Sequence, residues 1–320
     1  MTPHQTTLHR LFRKLDALAG AAVLPRVFGP PAPSRLAGVQ GVAIDGKAQR
    51  GRLAGGGGHG EVVHALSAVC HAHHLVLAQM PIRATADTVE AELSVAPTLL
   101  AQVAWPGRVL TGDALFCQRA LCEQVLDGGG DYLLLVKANQ PVLHEAVTLL
   151  FDPPPALQPA VPLVDRREAH MTDKGHGRLE QRHLIATTDL AAYSDWPGLL
   201  QVLRIERTWQ ERGRTHRQVV YGITSLSPER ADAAQLLALK RGHWGIENCL
   251  HYVADVTLGE DASRVRLGAG PSVMALFRAC ALNLVRQAGH QTIAARLRYL
   301  SGHPLAVLSL LGLLPSSANA

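Results

Sequence analysis

No apolar run in the 320-residue chain approaches the roughly 20 residues that cross a bilayer, which argues against a helical membrane protein. Residues 17–24, behind Arg10, Arg13 and Lys14, imitate a secretory leader only faintly. They are only eight, with Asp16 at their edge, and read instead as the end of a helix. Cysteine is scarce: Cys70, Cys117, Cys122, Cys249 and Cys280 form no CxxC pair and leave one thiol over in any full pairing. A disulfide-stapled secreted domain is therefore disfavoured, and reduced thiols in a cytoplasmic protein are expected. Internal repeats and low-complexity tails are absent. Neither sign of charge dominates, since 31 Lys and Arg against 26 Asp and Glu give +5, which permits a polyanionic partner without demanding one. What is present is a globular composition, 47% apolar and 18% charged, with length for about two structural units.

Leu8, Leu11, Phe12, Leu15 and Leu18 recur at helical spacing, so residues 8–18 are expected to form one amphipathic helix. Gly29, Pro30, Pro31 and Pro33 then mark a linker. A short apolar run at 39–43 reads as a buried strand ending at Asp45-Gly46-Lys47. Gly55 to Gly58 reads as a hairpin tip. Strands are expected at 62–72 and 75–82, a helix at 88–103, and a strand at 108–112 that ends at Asp113. A helix at 118–126 stops at Gly128-Gly129-Gly130, an apolar strand follows at 132–137, and Pro141 opens a helix to 151. Three early strands followed by alternation predict an α/β fold, a mixed sheet flanked by helices. After Pro153-Pro154-Pro155 the chain reads as strands at 182–187, 199–208 and 218–224, with a charged tip at 210–217. Residues 228–258 read as one long helix and 272–286 as another. Four segments are thus expected: an N-terminal helical segment and linker (1–37), the first part of the core (38–152), a β-rich insertion (153–226) and a helical C-terminal part (227–320).

Three acids stand out by context. Asp45 and Asp113 close apolar strands, where an uncompensated carboxylate is costly, and a divalent cation offsets that cost. Hard oxygen ligands suit Mg2+ or Mn2+, and two such ions about 3.5–4 Å apart perform in-line phosphoryl transfer. Glu247 lies in a helical stretch where His243, Glu247, His251 and Asp255 share one face and Ile246, Leu250, Val253 and Thr257 the next. Each acid alone also fits a turn residue or a solvated helix face.

Eight sequence words carry a resemblance. IDGKAQRG (44–51), TGDALFCQ (111–118), GGDYLLLVKANQ (129–140), DKGHGRLE (173–180), DWPGL (195–199), YGITSL (221–226), RGHWGIEN (241–248) and GEDASRVR (259–266) occur in this order. They resemble the DDE transposases of ISAs-type insertion sequences, which include the H-repeat-associated proteins. The likeness runs from about Thr7 to Leu313. It implies an RNase H-like core with a β-rich insertion before the last acid. It also implies Mg2+-dependent cutting and joining of DNA at element ends in the bacterial cytoplasm, by a homo-oligomer on double-stranded terminal inverted repeats and target DNA. Position by position, the family's catalytic and metal-binding acids fall on Asp45, Asp113 and Glu247, with Asp255, Glu260 and Asp261 near enough to assist. Family members carry a longer N-terminal helical region, so the chain is expected to lack most of it. A non-catalytic DNA-binding remnant and a host nuclease on the same fold are the alternatives.

Basic and polar residues around these words are the expected phosphate contacts: Lys47, Arg50, Lys137, Asn139, Lys174, Arg178, Arg241 and His243. Arg204, Arg207, Arg212, Arg214 and Arg217 make the insertion the most basic region and an expected DNA-binding surface. Trp209 and Trp244 fit core packing better than base stacking. His59, His64, His71, His73 and His74 cluster without a Cys or carboxylate to complete a metal set, and His243, Glu247 and His251 lack the HExxH order of a zinc hydrolase.

Overall fold

The computed structural model describes residues 4–28, 38–48, 64–82, 88–157, 162–175, 178–211, 213–265, 269–290 and 292–314. Packing divides the chain into two compact units. The first holds Met1–Pro31, Asp45–Val103 and Gly245–Ala320, and the second Ala32–Ile44 and Ala104–Trp244. Strand β1 (Gln40–Ala48) gives its residues up to Ile44 to the second unit and those from Asp45 onward to the first.

In the first unit the amphipathic start is broken in two. Helix α1 (Gln5–Lys14) ends where Leu15 turns extended, and α2 (Ala17–Ala21) begins because the Asp16 carboxylate accepts from the Leu18 and Ala19 N–H groups at 2.8 and 3.2 Å. The single helix expected over 8–18 yields to that cap. After α3 (Leu24–Phe28), strands β2 (His64–Cys70) and β3 (Val76–Ile82) pair antiparallel around a bulge at Ala68/Val69. Helix α4 spans Thr88–Leu100, and α8 (Gly270–Gln287), α9 (Ile293–Gly302) and α10 (Pro304–Leu310) close the unit. Asn283 on α8 is fully buried. Its side chain accepts from the Val76 N–H and donates to the Val76 carbonyl, both at 2.8 Å, which satisfies a strand that would otherwise end the sheet with open groups.

In the second unit β1 runs parallel to β4 (Arg108–Gly112), from Gln40↔Arg108 to Ala43↔Thr111. Strand β4 runs parallel to β5 (Asp131–Val136), with α5 (Arg119–Asp127) as the crossover. After α6 (Pro141–Phe151) come β6 (Arg167–Gly175), β7 (Arg178–Thr187), β8 (Gln201–Glu211) and β9 (Arg214–Thr224). They form an antiparallel meander whose last strand pairs with β5 (Leu134↔Ile223). The insertion is therefore a continuation of the sheet, and packing groups it with β4 and β5. Helix α7 (Ala233–His243) starts with a capping box, Asp232 with Gln235, and lays Leu236, Leu237 and Leu239 on Leu184, Leu203 and Ile205.

Strand order is β3-β2-β1 in the first unit and β1-β4-β5-β9-β8-β7-β6 in the second. With β1, β4 and β5 parallel and β2–β3 antiparallel, this is the mixed, RNase H-like α/β arrangement expected. Among the described residues no helix is long and apolar enough to cross a membrane.

Candidate active site

The long helix expected over 228–258 is in fact three stretches. Helix α7 ends at His243, and the chain then winds as π-helix over Glu247–His251 and Val253–Thr257. The Tyr252 N–H reaches back to the Glu247 carbonyl and the Leu258 N–H to the Val253 carbonyl, the i→i+5 pattern of wider turns. The buried face is accordingly Ile246, Leu250 and Ala254, and not the 246/250/253/257 stripe expected from ordinary α winding.

This winding brings Glu247 to Asp45. One ligand atom each of Asp45, Glu247 and His251 lies within 4.8 Å of the other two. His251 Nδ1 is 3.0 Å from Glu247 Oε2 and 3.7 Å from Asp45 Oδ2. An ionised carboxylate only accepts, so Nδ1 carries the proton of that 3.0 Å hydrogen bond. The imidazole is buried, 5% exposed, while the side chains of Asp45 and Glu247 are 37% and 55% exposed. Burial holds the His251 pKa below its ordinary value; Glu247 pulls it up, by hydrogen bond and charge, and Lys47 pushes it down. Buried His251 Nε2 has no hydrogen-bond partner. Asp45 lies inside β1 and not at a turn, and its Oδ1 accepts from the Gly46 N–H at 3.0 Å.

Three acidic neighbours were not foreseen in these roles. The Glu92 carboxylate on α4 packs against Gly46, where an added Cβ would lie 2.2 Å from Oε1 and make the Glu92 side chain shift. Asp255 and Glu260 do not join Asp45 as assisting acids. They hold Lys47, whose Nζ is 2.5 Å from Asp255 Oδ1, 2.8 Å from Glu260 Oε2 and 3.1 Å from the His251 carbonyl. Glu260 also accepts from Arg278 at 3.2 Å. Lys47 is thus a clamp from β1 to the π-helical segment, with its charge already matched.

Asp113 stands at the end of β4 in the second unit. It is exposed, and its carboxylate accepts from the Leu115 N–H at 2.9 Å, capping a short 3-10 turn over Ala114–Phe116. Burial lowers the pKa of Lys240 on α7; the Asp113 charge opposes that shift and Lys137 adds to it. Lys240 was missed because a lysine in a helical repeat of leucines reads as solvated.

The expected phosphate contacts divide. Lys137, Lys174 and Arg241 are exposed, Arg241 against Asp173 at 3.3 Å. Asn139 is exposed and donates to the Ala114 carbonyl at 2.6 Å. Arg50 and the side chain of Arg178 lie outside the described residues. His243 is a correction: it is 8% exposed and its Nδ1 sits 3.3 Å from Thr111 Oγ1, so its ring faces the second unit's core instead of solvent. Three of the insertion's arginines are matched by carboxylates, Arg214 is exposed, and Arg212 lies outside the described residues. Arg204 meets Asp152 at 2.7 Å, Arg207 meets Glu180 at 2.6 Å and Arg217 meets Glu206 at 2.7 Å. Trp244 is 57% exposed and Trp209 stacks on His216 at the sheet surface, so neither is a core residue.

The carboxylates of Asp45 and Glu247 fit a divalent cation: they converge toward solvent, with the buried His251 ring orienting Glu247 through its Nδ1 proton. A family model described as "Transposase DDE domain" matches residues 37–284. "Putative transposase YncI" of Escherichia coli O157:H7 is 31% identical over 254 residues, covering 77% of this chain and 61% of that protein. "H repeat-associated putative transposase YhhI" of Escherichia coli strain K12 is 28% identical over 252 residues, covering 76% and 63%. The chain thus spans somewhat less than two thirds of the length of these relatives. A solved piggyBac transposase synaptic complex with hairpin DNA aligns over 99% of this chain and 66% of that one, at 10% identity and a TM-score of 0.39, too low to argue from. With its site geometry and a family match over most of its length, the chain belongs to the DDE transposases.

Proposed function

We propose that the chain cleaves DNA at the ends of an insertion element and joins the freed ends to target DNA, with Asp45, Asp113 and Glu247 as its catalytic acids. The observation that carries this reading is the convergence of Asp45 and Glu247, remote in sequence, on one buried histidine. Asp113 is included for its sequence word, TGDAL; that it follows Thr111 by two positions, as Asp45 follows Ala43, the parallel partner of Thr111, supports this choice. Mg2+ or Mn2+, bound as a pair, would supply activation of the attacking oxygen and stabilisation of the leaving 3′-oxygen.

The chain's own residues do the rest. Asp45 and Glu247 present oxygens to solvent, where a phosphodiester can approach. His251 donates its Nδ1 proton to Glu247 and so fixes the direction of that carboxylate. Lys47 holds the π-helical turn that carries Glu247 and His251 against β1. Lys137, Lys174 and Arg241 are the proposed contacts to the backbone of double-stranded DNA, sequence-independent and salt-sensitive. Joining two ends requires a homo-oligomer on paired DNA.

The test uses labelled duplexes bearing the element's terminal inverted repeats, the full chain and MgCl2. The wild type should nick at the repeat ends, while Asp45→Ala, Asp113→Ala and Glu247→Ala, folded to the same Tm, should not. Cleavage by Asp45→Ala at the wild-type rate would overturn the reading.

A further inference from the structure

A second convergence of metal-ligating groups lies on the inserted sheet. Ala169, Leu184 and Ala186 point into the second unit's core, so Glu168, His170 and His183, at the alternate positions, occupy the opposite face. His170 and His183 are directly paired across the β6–β7 ladder. Their rings stack with centroids 4.2 Å apart and planes 4° from parallel. Glu168, two residues from His170 on the same face, places Oε2 2.6 Å from His183 Nε2, while Arg166 holds its other oxygen, Oε1, at 2.6 Å. One ligand atom from each of the three lies within 4.8 Å of the others.

We propose that Glu168, His170 and His183 form a zinc site on the β6–β7 ladder, separate from the candidate active site. Two imidazoles and one carboxylate suit Zn2+ and are too nitrogen-rich for Mg2+, which selects oxygens. The ladder fixes both histidine backbones, and Arg166 fixes the carboxylate, so little ordering remains to be done on binding. Zinc–nitrogen distances near 2.0–2.1 Å require the two rings only to rotate about their side-chain bonds, within the span they already occupy. Three protein ligands leave a fourth position open to water or to an oxygen anion. The ion would tie β6, the outermost strand of the sheet, to β7.

The site is tested by calorimetric titration of the metal-free full chain with ZnCl2, followed by thermal melts at rising free Zn2+ and by the visible spectrum of the Co2+-loaded chain. In the Asp45→Ala chain, whose candidate active centre is disabled, one zinc should bind per chain, Tm should climb with free Zn2+, and Co2+ should give tetrahedral absorption bands. His170→Gln and His183→Gln should each weaken binding by roughly 10–100-fold or more and remove the Tm rise. Their metal-free melts should stay close to the wild type, since His170 is exposed and His183 partly so. Asp45→Ala should bind this zinc as the wild type does, which separates the site from the active centre. Unchanged affinity in the His170→Gln/His183→Gln double variant, or no Tm response in the wild type, would overturn the proposal. If the double variant does not fold, the Co2+ spectrum of Glu168→Gln decides: bands identical to the wild type would likewise reject the site.

Discussion

The inserted sheet and the candidate active site use the same acids and bases to opposite ends. On and beside the sheet three carboxylates are gripped by forked guanidiniums, unlike Glu168, which Arg166 holds by one oxygen only. Arg207 grips Glu180 with two bonds of 2.6 and 2.7 Å, Arg217 grips Glu206 at 2.7 and 2.9 Å, and Arg167 grips Asp165 at 2.9 and 2.6 Å. These hydrogen bonds hold all three carboxyls well below their ordinary pKa. At the candidate site Asp45 and Glu247 face a buried imidazole, while Lys47, the cation nearest to Asp45 in sequence, is taken by Asp255 and Glu260. A carboxylate matched by a forked guanidinium has no charge left for a metal.

The comparison breaks first at Glu247. Glu247→Gln keeps the size and the acceptor oxygen for His251 but removes the charge, so cleavage of terminal-repeat DNA should fall by on the order of 10²–10³-fold with Tm nearly unchanged. A comparable neutralisation on the sheet, Glu180→Gln, should leave cleavage within a few-fold, as read in the same assay. The next effect is on stability. Lys47→Met leaves the partly exposed Asp255 without this cation and the 6%-exposed Glu260 with Arg278 alone, so the loss should stay below the roughly 3–5 kcal/mol of stripping a buried charge of its only partner. Urea unfolding should show that loss, and Lys47→Met/Glu260→Gln should recover part of it; no recovery would mean the clamp is not electrostatic.

How much of this could be read from residue order depends on whether the determinant is local. Strand β4 and helix α6 were legible to within a residue because breakers bound them: Pro106-Gly107 and Pro141 mark where each begins. Asp45 and Glu247 were legible as motif words and as acids in costly places. His251 was legible in part, because i,i+4 places it beside Glu247 in either winding. Strand β6 was missed, since REAHMTDKG reads as polar loop when its only buried contribution is Ala169 and its neighbours salt-bridge outward. The break at Asp16 was hidden by a good amphipathic pattern that one capping carboxylate overrides. The π winding has no composition signature. The clamp joins Lys47 to acids 208 and 213 positions away, and Arg207 and Arg217 find their carboxylates across strands, pairings that a charge count cannot show.

Within the sheet the comparison sharpens at Arg207. Its fork on Glu180 and its stacking 4.6 Å over Trp209 both need a planar guanidinium. Arg207→Lys keeps the charge and should still cost about 1 kcal/mol, measured as a lower urea midpoint at neutral pH. An unchanged midpoint would show that charge alone, and not the fork, is what the ladder uses.

The smallest effect is a pH dependence, and its sign follows from the pairing. The Arg217 hydrogen bond, with help from Arg204, pushes Glu206 down to about 2 from an ordinary value of 4.5. Between those values the unfolded chain binds a proton that the folded chain refuses, so stability falls as pH drops through that window and is fully present above it. Arg217 is 61% exposed and solvent screens the pair, so the contribution is well below that of the Lys47 clamp. Glu206→Gln removes the titrating group while keeping its shape. Its urea midpoint should sit slightly below the wild type at neutral pH, and the two curves should converge toward pH 3, since protonation makes the wild type resemble the variant. Curves that stay parallel across that range would place the acid sensitivity elsewhere among the paired carboxylates, with Asp165 and Glu180 the next to substitute.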